Sequence, residues 1–325
     1  MNLHTIYFTL CSNNYLAQAK TLGDSVIKIY PDCRFVIGLV DLRDSSFDYS
    51  LFAEMEIWGF EELGFEEFDD MLSRYNVIEF NTAVKPFYID FLWRRYGQDN
   101  SIIYLDPDIL LYRPLDHIFK ALEKFSVVLT PMFCEVTEKI SLDELVALRH
   151  GMFNLGFIAL KYSEDSHKLI AWWKERLRTH CLIDKPKGIF VDQKWMDLAP
   201  LLFEGVYILK HRGYNMAWWN FSERVLLHSQ GEFAVNQADQ FLHFFHFSGF
   251  KPGSDSITGR SGEPEFAYSN KPELRRLGKA YEELLLENKY DFFNALSPKL
   301  TFYTPRITWK TKVKKKLKSV LKLLG

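Results

Sequence analysis

The chain has 325 residues, a length that fits one large domain or one domain with an appendage. Apolar residues make up 47% and aromatic residues 16%, so the composition allows a sizeable core. The net charge of −2 excludes the overall basic signature of a nucleic-acid-binding protein, and we predict no nucleic-acid partner.

In chain order, the first half alternates strand and helix signals. Short apolar runs predict strands at residues 5–10, 34–40, 54–58, 101–105 and 125–130. Apolar residues at helical spacing predict helices at residues 13–30, 65–75 and 83–96. This βαβ rhythm predicts an α/β fold with a mixed, mostly parallel sheet flanked by helices. In such sheets, ligands bind beyond the carboxyl ends of the strands.

The second half of the chain is more mixed. Strands are predicted at residues 152–160, 205–209 and 240–247, and helices at residues 164–181 and 273–288. Glycine, serine and proline mark residues 251–265 as a loop. We therefore divide the chain into a main domain at 1–260, a helical C-terminal extension at 261–305 and a tail at 306–325.

Two carboxylates follow the predicted strand at residues 101–105. Asp106 and Asp108 stand two positions apart, separated by Pro107. Mg²⁺-type sites commonly use one or two carboxylates together with substrate phosphates, and such a metal would stabilise a diphosphate leaving group. The alternative is a solvated Asp-Pro turn.

Five short segments, in order along the chain, together resemble the bacterial GT-A glycosyltransferases related to glycogenin and the lipopolysaccharide galactosyltransferases (glycosyltransferase family 8 and its neighbours). They are TLCSNNY at 9–15, VKPF at 84–87, YLDPD at 104–108, FNLGF at 153–157 and HFSGFKP at 246–252. The resemblance runs from residue 5 to about residue 252. It implies the GT-A (Rossmann-like) nucleotide-diphospho-sugar transferase fold, with residues 1–260 as the catalytic domain.

The resemblance also implies the reaction and its metal. We expect a transferase that moves a sugar from a nucleotide-diphosphate donor, a UDP-sugar, to a glycan acceptor with retention of configuration. Asp106, Asp108 and His246 are the implied ligands of Mn²⁺ or Mg²⁺. His243 lies three residues before His246, and because side chains alternate along a strand only one of the two can point at the site.

The same resemblance implies residues that contact the donor. The predicted set is Thr9, Cys11, Ser12, Asn13 and Asp41 for the base and ribose, Lys85, Gly249 and Lys251 for the diphosphate, and Asn154, Gly156 and Asn215 for the sugar. Helix capping by Ser12 and Asn13 is an alternative use of their side chains. For Lys85, the alternative is a side chain that faces solvent. Only one residue separates Gly249 from Lys251, whereas the family pattern has two.

Asp192 and Gln193 resemble the pair that contacts the donor sugar near its anomeric carbon, and we predict them as catalytic residues. Lys194 stands where a further acid commonly follows in the family. An inverting enzyme would instead need a carboxylate base near the acceptor, for which Asp192 and Glu223 are both open. Trp218 and Trp219 predict either a stacking face for a sugar or a core aromatic cluster.

The tail at residues 306–325 has seven lysines, one arginine and no acid, so it carries +8 while the rest of the chain carries −10. Its apolar residues share one helical face, which is typical of an amphipathic anchor on an anionic membrane surface. Neither a signal peptide nor a membrane-spanning run of about 18 apolar residues is apparent. We expect a cytoplasmic, peripheral enzyme whose acceptor is a lipid-linked intermediate of lipopolysaccharide or another surface polysaccharide.

Two other functions remain open from sequence. A sugar nucleotidyltransferase usually has a glycine-rich phosphate loop after the first strand, whereas residues 11–14 here contain no glycine. A catalytically silent sugar-nucleotide binder at the membrane would keep the fold without turnover. Turnover of a sugar nucleotide separates the silent binder from the transferase.

Overall fold

The computed structural model describes residues 5–136, 142–258, 266–269 and 271–303. Its strands are β1 (Thr5–Cys11), β2 (Arg34–Leu39), β3 (Glu56–Gly59), β4 (Ser101–Leu105), β5 (Ile109–Leu111), β6 (Val127–Leu129), β7 (Phe157–Leu160), β8 (Ile183–Asp184), β9 (Ile189–Phe190), β10 (Val206–Ile208), β11 (Leu226–Ser229), β12 (Glu232–Val235), β13 (Gln237–Phe241) and β14 (Phe244–His246).

Its helices are α1 (Leu16–Ile29), α2 (Glu67–Arg74), α3 (Val77–Ala83), α4 (Lys85–Tyr96), α5 (Asp116–Leu122), α6 (Leu142–His150), α7 (Glu164–His180), α8 (Gln193–Met196), α9 (Ala199–Leu202), α10 (Pro272–Glu287) and α11 (Tyr290–Asn294). Local signals fix several of their starts. Ser163 accepts a hydrogen bond from the N–H of Ser166 at the start of α7, and Asn76 caps α3 in the same way.

A seven-stranded sheet forms the centre of the fold, in the order β10-β6-β7-β4-β1-β2-β3. All neighbours are parallel except β7, which runs antiparallel to both β4 and β6. The prediction of a mixed, mostly parallel sheet flanked by helices is confirmed. The carboxyl ends of β1, β2 and β4 therefore share one edge, where ligands are expected.

Both faces of the central sheet are covered, which explains the continuous apolar character of its strands. Along β1, Ile6, Phe8 and Leu10 pack into the core on one face, while Tyr7 and Cys11 pack into the core on the other. All seven residues of β1 are buried.

Several predicted elements differ from the observed ones because local hydrogen bonds interrupt them. The strand predicted at 152–160 begins only at Phe157, since Asn154 accepts from the N–H of Gly156 in a turn before it. The strand predicted at 240–247 is divided between β13 and β14, because the N–H of Leu242 bonds to β12 and that of His243 to Gly213. The helix predicted at 83–96 is preceded by a separate helix, α3.

The C-terminal extension folds back onto the start of the chain. Asn288, after α10, donates to Thr21 Oγ1 and to Asp24 Oδ2 on α1, each at 3.0 Å. The predicted amphipathic tail at 306–325 and part of the loop predicted at 251–265 lie outside the described residues, and the three-part division of the chain stays a prediction. Within the described ranges, we find no helix with both the length and the apolar character needed to cross a bilayer.

Candidate active site

Two carboxylates and one imidazole meet at the carboxyl edge of β4. His246 ends β14, which pairs with β5 so that His246 lies opposite Ile109 and next to Asp108. His246 Nε2 lies 3.0 Å from Asp108 Oδ1 and 3.6 Å from Asp106 Oδ2. The ligand atoms of Asp106, Asp108 and His246 all lie within 4.8 Å of one another. The three predicted metal ligands are therefore brought together.

His246 is held in place from the side opposite the carboxylates. Its Nδ1 lies 3.2 Å from Asn154 Oδ1, and its ring packs edge-on against Trp219 with centroids 5.0 Å apart. A Cβ on Gly156 would lie 2.5 Å from His246 Cε1, so glycine is needed there for close approach. Burial lowers the pKa of His246, but the Asp108 and Asp106 carboxylates outweigh it and raise the pKa above its ordinary value.

His243 has a different environment. Its Nδ1 lies 2.6 Å from the carbonyl oxygen of Pro114, and its ring nitrogens cluster with those of two other histidines. Of the two histidines left open by the sequence, the geometry selects His246 for the carboxylate centre.

The chemistry of this centre suits a hard divalent cation. Tyr104 donates to Asp106 Oδ1 at 2.5 Å, while Asp106 Oδ2 faces His246. Two carboxylates and one imidazole are acceptable ligands for Mn²⁺ or Mg²⁺, and three protein atoms leave further coordination positions for phosphate oxygens. Asp106, Asp108 and His246 are the residues that would hold such an ion.

A cleft of about 280 Å³ opens beside the two carboxylates. Of the residues predicted to contact the base and ribose, Cys11 and Ser12 line it. The remaining lining comes from Leu10, Asn14, Tyr15, Val77, Ile78, Asn81, Thr82, Tyr104, Asp106, Pro107, Asp108 and Pro298. The sequence analysis did not predict that α3 and Pro298 line this cleft. An Asn-x-x-Glu capping signal at 76–79 could have revealed α3.

Asn13 and Asp41 form a buried hydrogen-bonded pair and do not line this cleft. Asn13 Nδ2 donates to Asp41 Oδ2 at 2.9 Å, and Asp41 Oδ1 accepts from the backbone N–H groups of Lys299 and Leu300 at 2.8 and 3.1 Å. The Asp41 carboxylate thus holds the C-terminal segment, and its contact with a base or ribose stays a prediction. Ser12 occupies a helix N-cap position, but its side chain makes no capping bond.

Thr9 and Cys11 are both inside the fold. Thr9 is fully buried within β1, and no hydrogen-bond partner for its hydroxyl is found among the described residues. Burial raises the pKa of the Cys11 thiol well above its ordinary value, so this residue is a neutral thiol at the wall of the cleft. Donor contact by Thr9 stays a prediction.

Lys85 is buried, in contrast to the solvent-facing alternative, which is wrong. Its ammonium lies 2.5 Å from Asp192 Oδ2, donates to the carbonyl of Leu155 at 2.7 Å and stands over the Tyr104 ring. Burial raises the pKa of Asp192, and the Lys85 ammonium opposes that rise. The structure therefore joins Lys85, predicted for the diphosphate, to Asp192, predicted for catalysis. Donor contact by Lys85 stays a prediction.

Asn154, Asn215 and Gln193 form one hydrogen-bonded network beside His246. Asn215 Nδ2 donates to Thr130 Oγ1 at 2.9 Å and to Asn154 Oδ1 at 3.2 Å, and Asn154 Nδ2 lies 3.5 Å from Gln193 Oε1. Within the described ranges, Asn215 Oδ1 is buried without a hydrogen-bond donor. A buried oxygen without a hydrogen-bond donor destabilises the fold unless a bound ligand supplies the donor.

The remaining predicted residues lie around this network or away from it. Gly249 has a φ of 75°, which favours glycine, and faces Asp108 across a small pocket. Lys251 is exposed, and its role at a phosphate stays a prediction. Glu223 is buried with Arg224, so it is not a free carboxylate. Trp219 packs on His246, which fits the core interpretation of the tryptophan pair.

Comparison with known sequences gives distant relatives. No protein-family model matches the chain. Over 179 residues it is 27% identical to the uncharacterized protein YfnF and 23% identical to the uncharacterized protein YfnD, both of Bacillus subtilis (strain 168). Each match covers 53% of this chain, with 57% of YfnF and 54% of YfnD. The chain thus spans little more than half the length of these relatives.

Solved structures give a clearer answer on the fold. The galactosyltransferase LgtC, in complex with donor and acceptor sugar analogs, matches with a TM-score of 0.50 at 14% identity, over 85% of this chain and 96% of that chain. An active-site mutant of LgtC matches with a TM-score of 0.51 at 15% identity, over 95% and 100% of the two chains. The chain has a GT-A fold. The glycosyltransferase GlyE of Streptococcus pneumoniae TIGR4 also matches, with a TM-score of 0.50 at 13% identity over 89% of this chain and 64% of that chain.

Proposed function

We propose that the chain is a metal-dependent glycosyltransferase that moves a sugar from a nucleotide-diphosphate donor, a UDP-sugar, to a glycan acceptor. The observation that carries this proposal is the meeting of Asp106, Asp108 and His246 beside a cleft at the carboxyl edge of a GT-A sheet. The cleft offers room for a nucleotide next to ligands for a cation that binds phosphate.

Each part of the site has a task in this proposal. A bound Mn²⁺ or Mg²⁺ would stabilise negative charge on the departing diphosphate. Asp106, Asp108 and His246 would hold it, and Asn154 would orient His246 through Nδ1. The unpartnered Asn215 Oδ1 can accept a hydrogen bond from a sugar hydroxyl, which would remove the cost of leaving that atom unbonded.

Two buried carboxylates favour retention over inversion. An inverting reaction needs a carboxylate free to take a proton from the acceptor. Asp192 is 2% exposed and bound to Lys85, while Glu223 pairs with Arg224 and accepts the backbone N–H of Cys134 at 2.8 Å. Because both are engaged, we propose departure and attack on one face of the sugar, with Asp192 and Gln193 close to the anomeric carbon.

The charge of the tail supports a proposal for the acceptor and for the location of the enzyme. The eight positive charges at residues 306–325 suit an anionic membrane, at roughly 1 kcal/mol for each basic residue near the surface. We propose a cytoplasmic, peripheral enzyme acting on a lipid-linked glycan. Removal of residues 306–325 should release the protein from anionic vesicles, and unchanged binding would contradict the anchor.

The decisive experiment measures release of nucleoside diphosphate from a panel of sugar nucleotides in Mn²⁺, Mg²⁺ or EDTA. We expect slow hydrolysis of one donor that stops in EDTA and in Asp108→Asn. Asp70→Asn is the matched control, because Asp70 is a surface carboxylate that pairs with Arg74 on the same helix. Donor binding without turnover, even with acceptor glycans present, would favour a silent binder.

A further inference from the structure

Three histidines from separate parts of the chain meet at the start of β14. His117 lies in the first turn of α5, His211 follows β10, and His243 directly precedes β14. Each offers a ring nitrogen within 4.8 Å of the other two. The ring centroids of His117 and His211 are 4.5 Å apart, and both lie 5.3 Å from that of His243.

His243 is fixed on a rigid part of the fold. Its carbonyl accepts the N–H of Tyr112 at 2.8 Å, and its own N–H donates to Gly213 at 2.8 Å. Its ring stacks on the buried Tyr214, with centroids 4.2 Å apart and planes inclined by 18°. One nitrogen donor of the cluster is therefore held in position by the backbone and by packing.

The hydrogen bonds also determine which nitrogen of His243 is free. A carbonyl oxygen only accepts, so His243 Nδ1 must donate its proton to Pro114 O at 2.6 Å. The neutral ring then keeps its lone pair on Nε2. A histidine whose second nitrogen is hydrogen-bonded to a backbone carbonyl is the usual arrangement of a metal ligand.

The other two rings have more freedom. His117 is exposed, and its Nδ1 lies 3.1 Å from the Tyr214 hydroxyl, which can donate or accept. His211 is partly exposed, and its Nδ1 accepts the N–H of Gly213 at 3.1 Å, which places the proton on Nε2. His211 is therefore the ring that must reorient to present a lone pair to a shared ligand.

We propose that His117, His211 and His243 form a binding site for a transition-metal cation of the Zn²⁺ type, separate from the carboxylate centre. Imidazole nitrogens suit Zn²⁺, Ni²⁺ and Cu²⁺, whereas the oxygen-rich set around His246 suits Mn²⁺ or Mg²⁺. A tetrahedral ion with Zn–N distances near 2.0–2.1 Å needs nitrogens about 3.3 Å apart. Rotation of the His117 and His211 side chains can bring the three ring nitrogens to this shorter separation.

The protonation state of the cluster agrees with this use. Burial lowers the pKa of His211 to about 4, with further lowering by His117 and Arg224. Burial likewise lowers the pKa of His243 to about 4. Both rings are therefore neutral at pH 7, which is the form that binds a metal.

An ion at this site would join three separate elements, two of which lead to residues of the proposed donor site. It would tie α5 to the loop that runs from His211 to Asn215 and to the strand that ends at His246. The cluster itself lies outside the donor cleft, and three protein ligands leave a fourth position open to water. The ion would thus link α5 to the segments that carry Asn215 and His246.

The test is Zn²⁺ binding to the tag-free full chain in excess Mg²⁺, measured by titration calorimetry and by the metal content after dialysis. The carboxylate centre is removed first, by Asp106→Asn together with Asp108→Asn. We expect one equivalent of Zn²⁺ to remain in this background. Adding His117→Ala should weaken that binding by more than the 10–100-fold that loss of an outer-shell partner typically costs.

His167→Ala is the matched control, since His167 is an exposed histidine on α7 outside the cluster, and it should leave Zn²⁺ binding unchanged. As a second comparison, the chain with Asp106 and Asp108 intact should bind one more equivalent of Zn²⁺ than its His117→Ala variant does. The two proteins should have the same circular dichroism spectrum. Absence of Zn²⁺ binding once the carboxylates are removed would overturn the proposal. So would binding that His117→Ala and His211→Ala leave intact.

Discussion

The buried pair between Lys85 and Asp192 allows a sharp prediction. Lys85→Met keeps the length of the side chain but removes its charge, which leaves Asp192 with 2% exposure and no cation beside it. Loss of one member of a buried ion pair costs about 3–5 kcal/mol. That is a large share of the roughly 5–15 kcal/mol by which domains are stable. We expect a drop of this size in the free energy of unfolding by urea.

A second lysine on the same side of the fold is the matched control. Lys174 pairs with Asp90 at 2.7 Å, but their side chains are 22% and 20% exposed. Water reaches this pair, and Asp90 keeps a second cation because Arg94 lies 3.7 Å away, so Lys174→Met should cost about 1 kcal/mol. The double variant Lys85→Met with Asp192→Leu should recover most of the loss, because no buried charge remains. Equal, small costs for the two lysine variants would refute the reasoning from burial.

The same variant has a predictable pH dependence. Burial raises the pKa of Asp192, and Lys85 opposes that rise, so removal of Lys85 raises the pKa further. A carboxyl with a raised pKa in the folded state stabilises the fold below its unfolded pKa, and this stability is lost as the pH rises through the folded pKa. The cost of Lys85→Met should therefore shrink as the pH falls from 7 towards 5. A constant cost over that range would contradict this assignment.

Further predictions concern the rest of the site. Gly156→Ala would place its Cβ 2.5 Å from His246, so we expect a loss of about 1–3 kcal/mol in unfolding free energy and weaker metal-dependent donor binding in calorimetry. Asp41→Ala removes the acceptor of two backbone N–H groups, and it should cost about 1–3 kcal/mol and expose the segment after Pro298 to proteolysis. Asn215→Ala should weaken binding of the sugar nucleotide more than binding of the free nucleoside diphosphate, and an equal effect on both would argue against a sugar contact.

The sequence by itself determined the main alternation of strands and helices in the first half of the chain and the carboxylate pair. The apolar run before Asp106 predicts a buried strand, and the alternation of such runs with helical patterns predicts a parallel sheet. Because strand ends share an edge in that sheet, the position of Asp106 and Asp108 followed from local pattern alone. Their role as ligands remains a proposal.

Only the tertiary structure decided which distant groups meet. The choice of His246 over His243 depends on the pairing of β14 with β5, and the role of Asp41 depends on a segment 258 residues further along the chain. Lys85 and Asp192 are 107 residues apart, and nothing in either local pattern predicts their contact. Local sequence fixes periodicity and turns, whereas long-range pairs form only when packing brings strand ends and loops together.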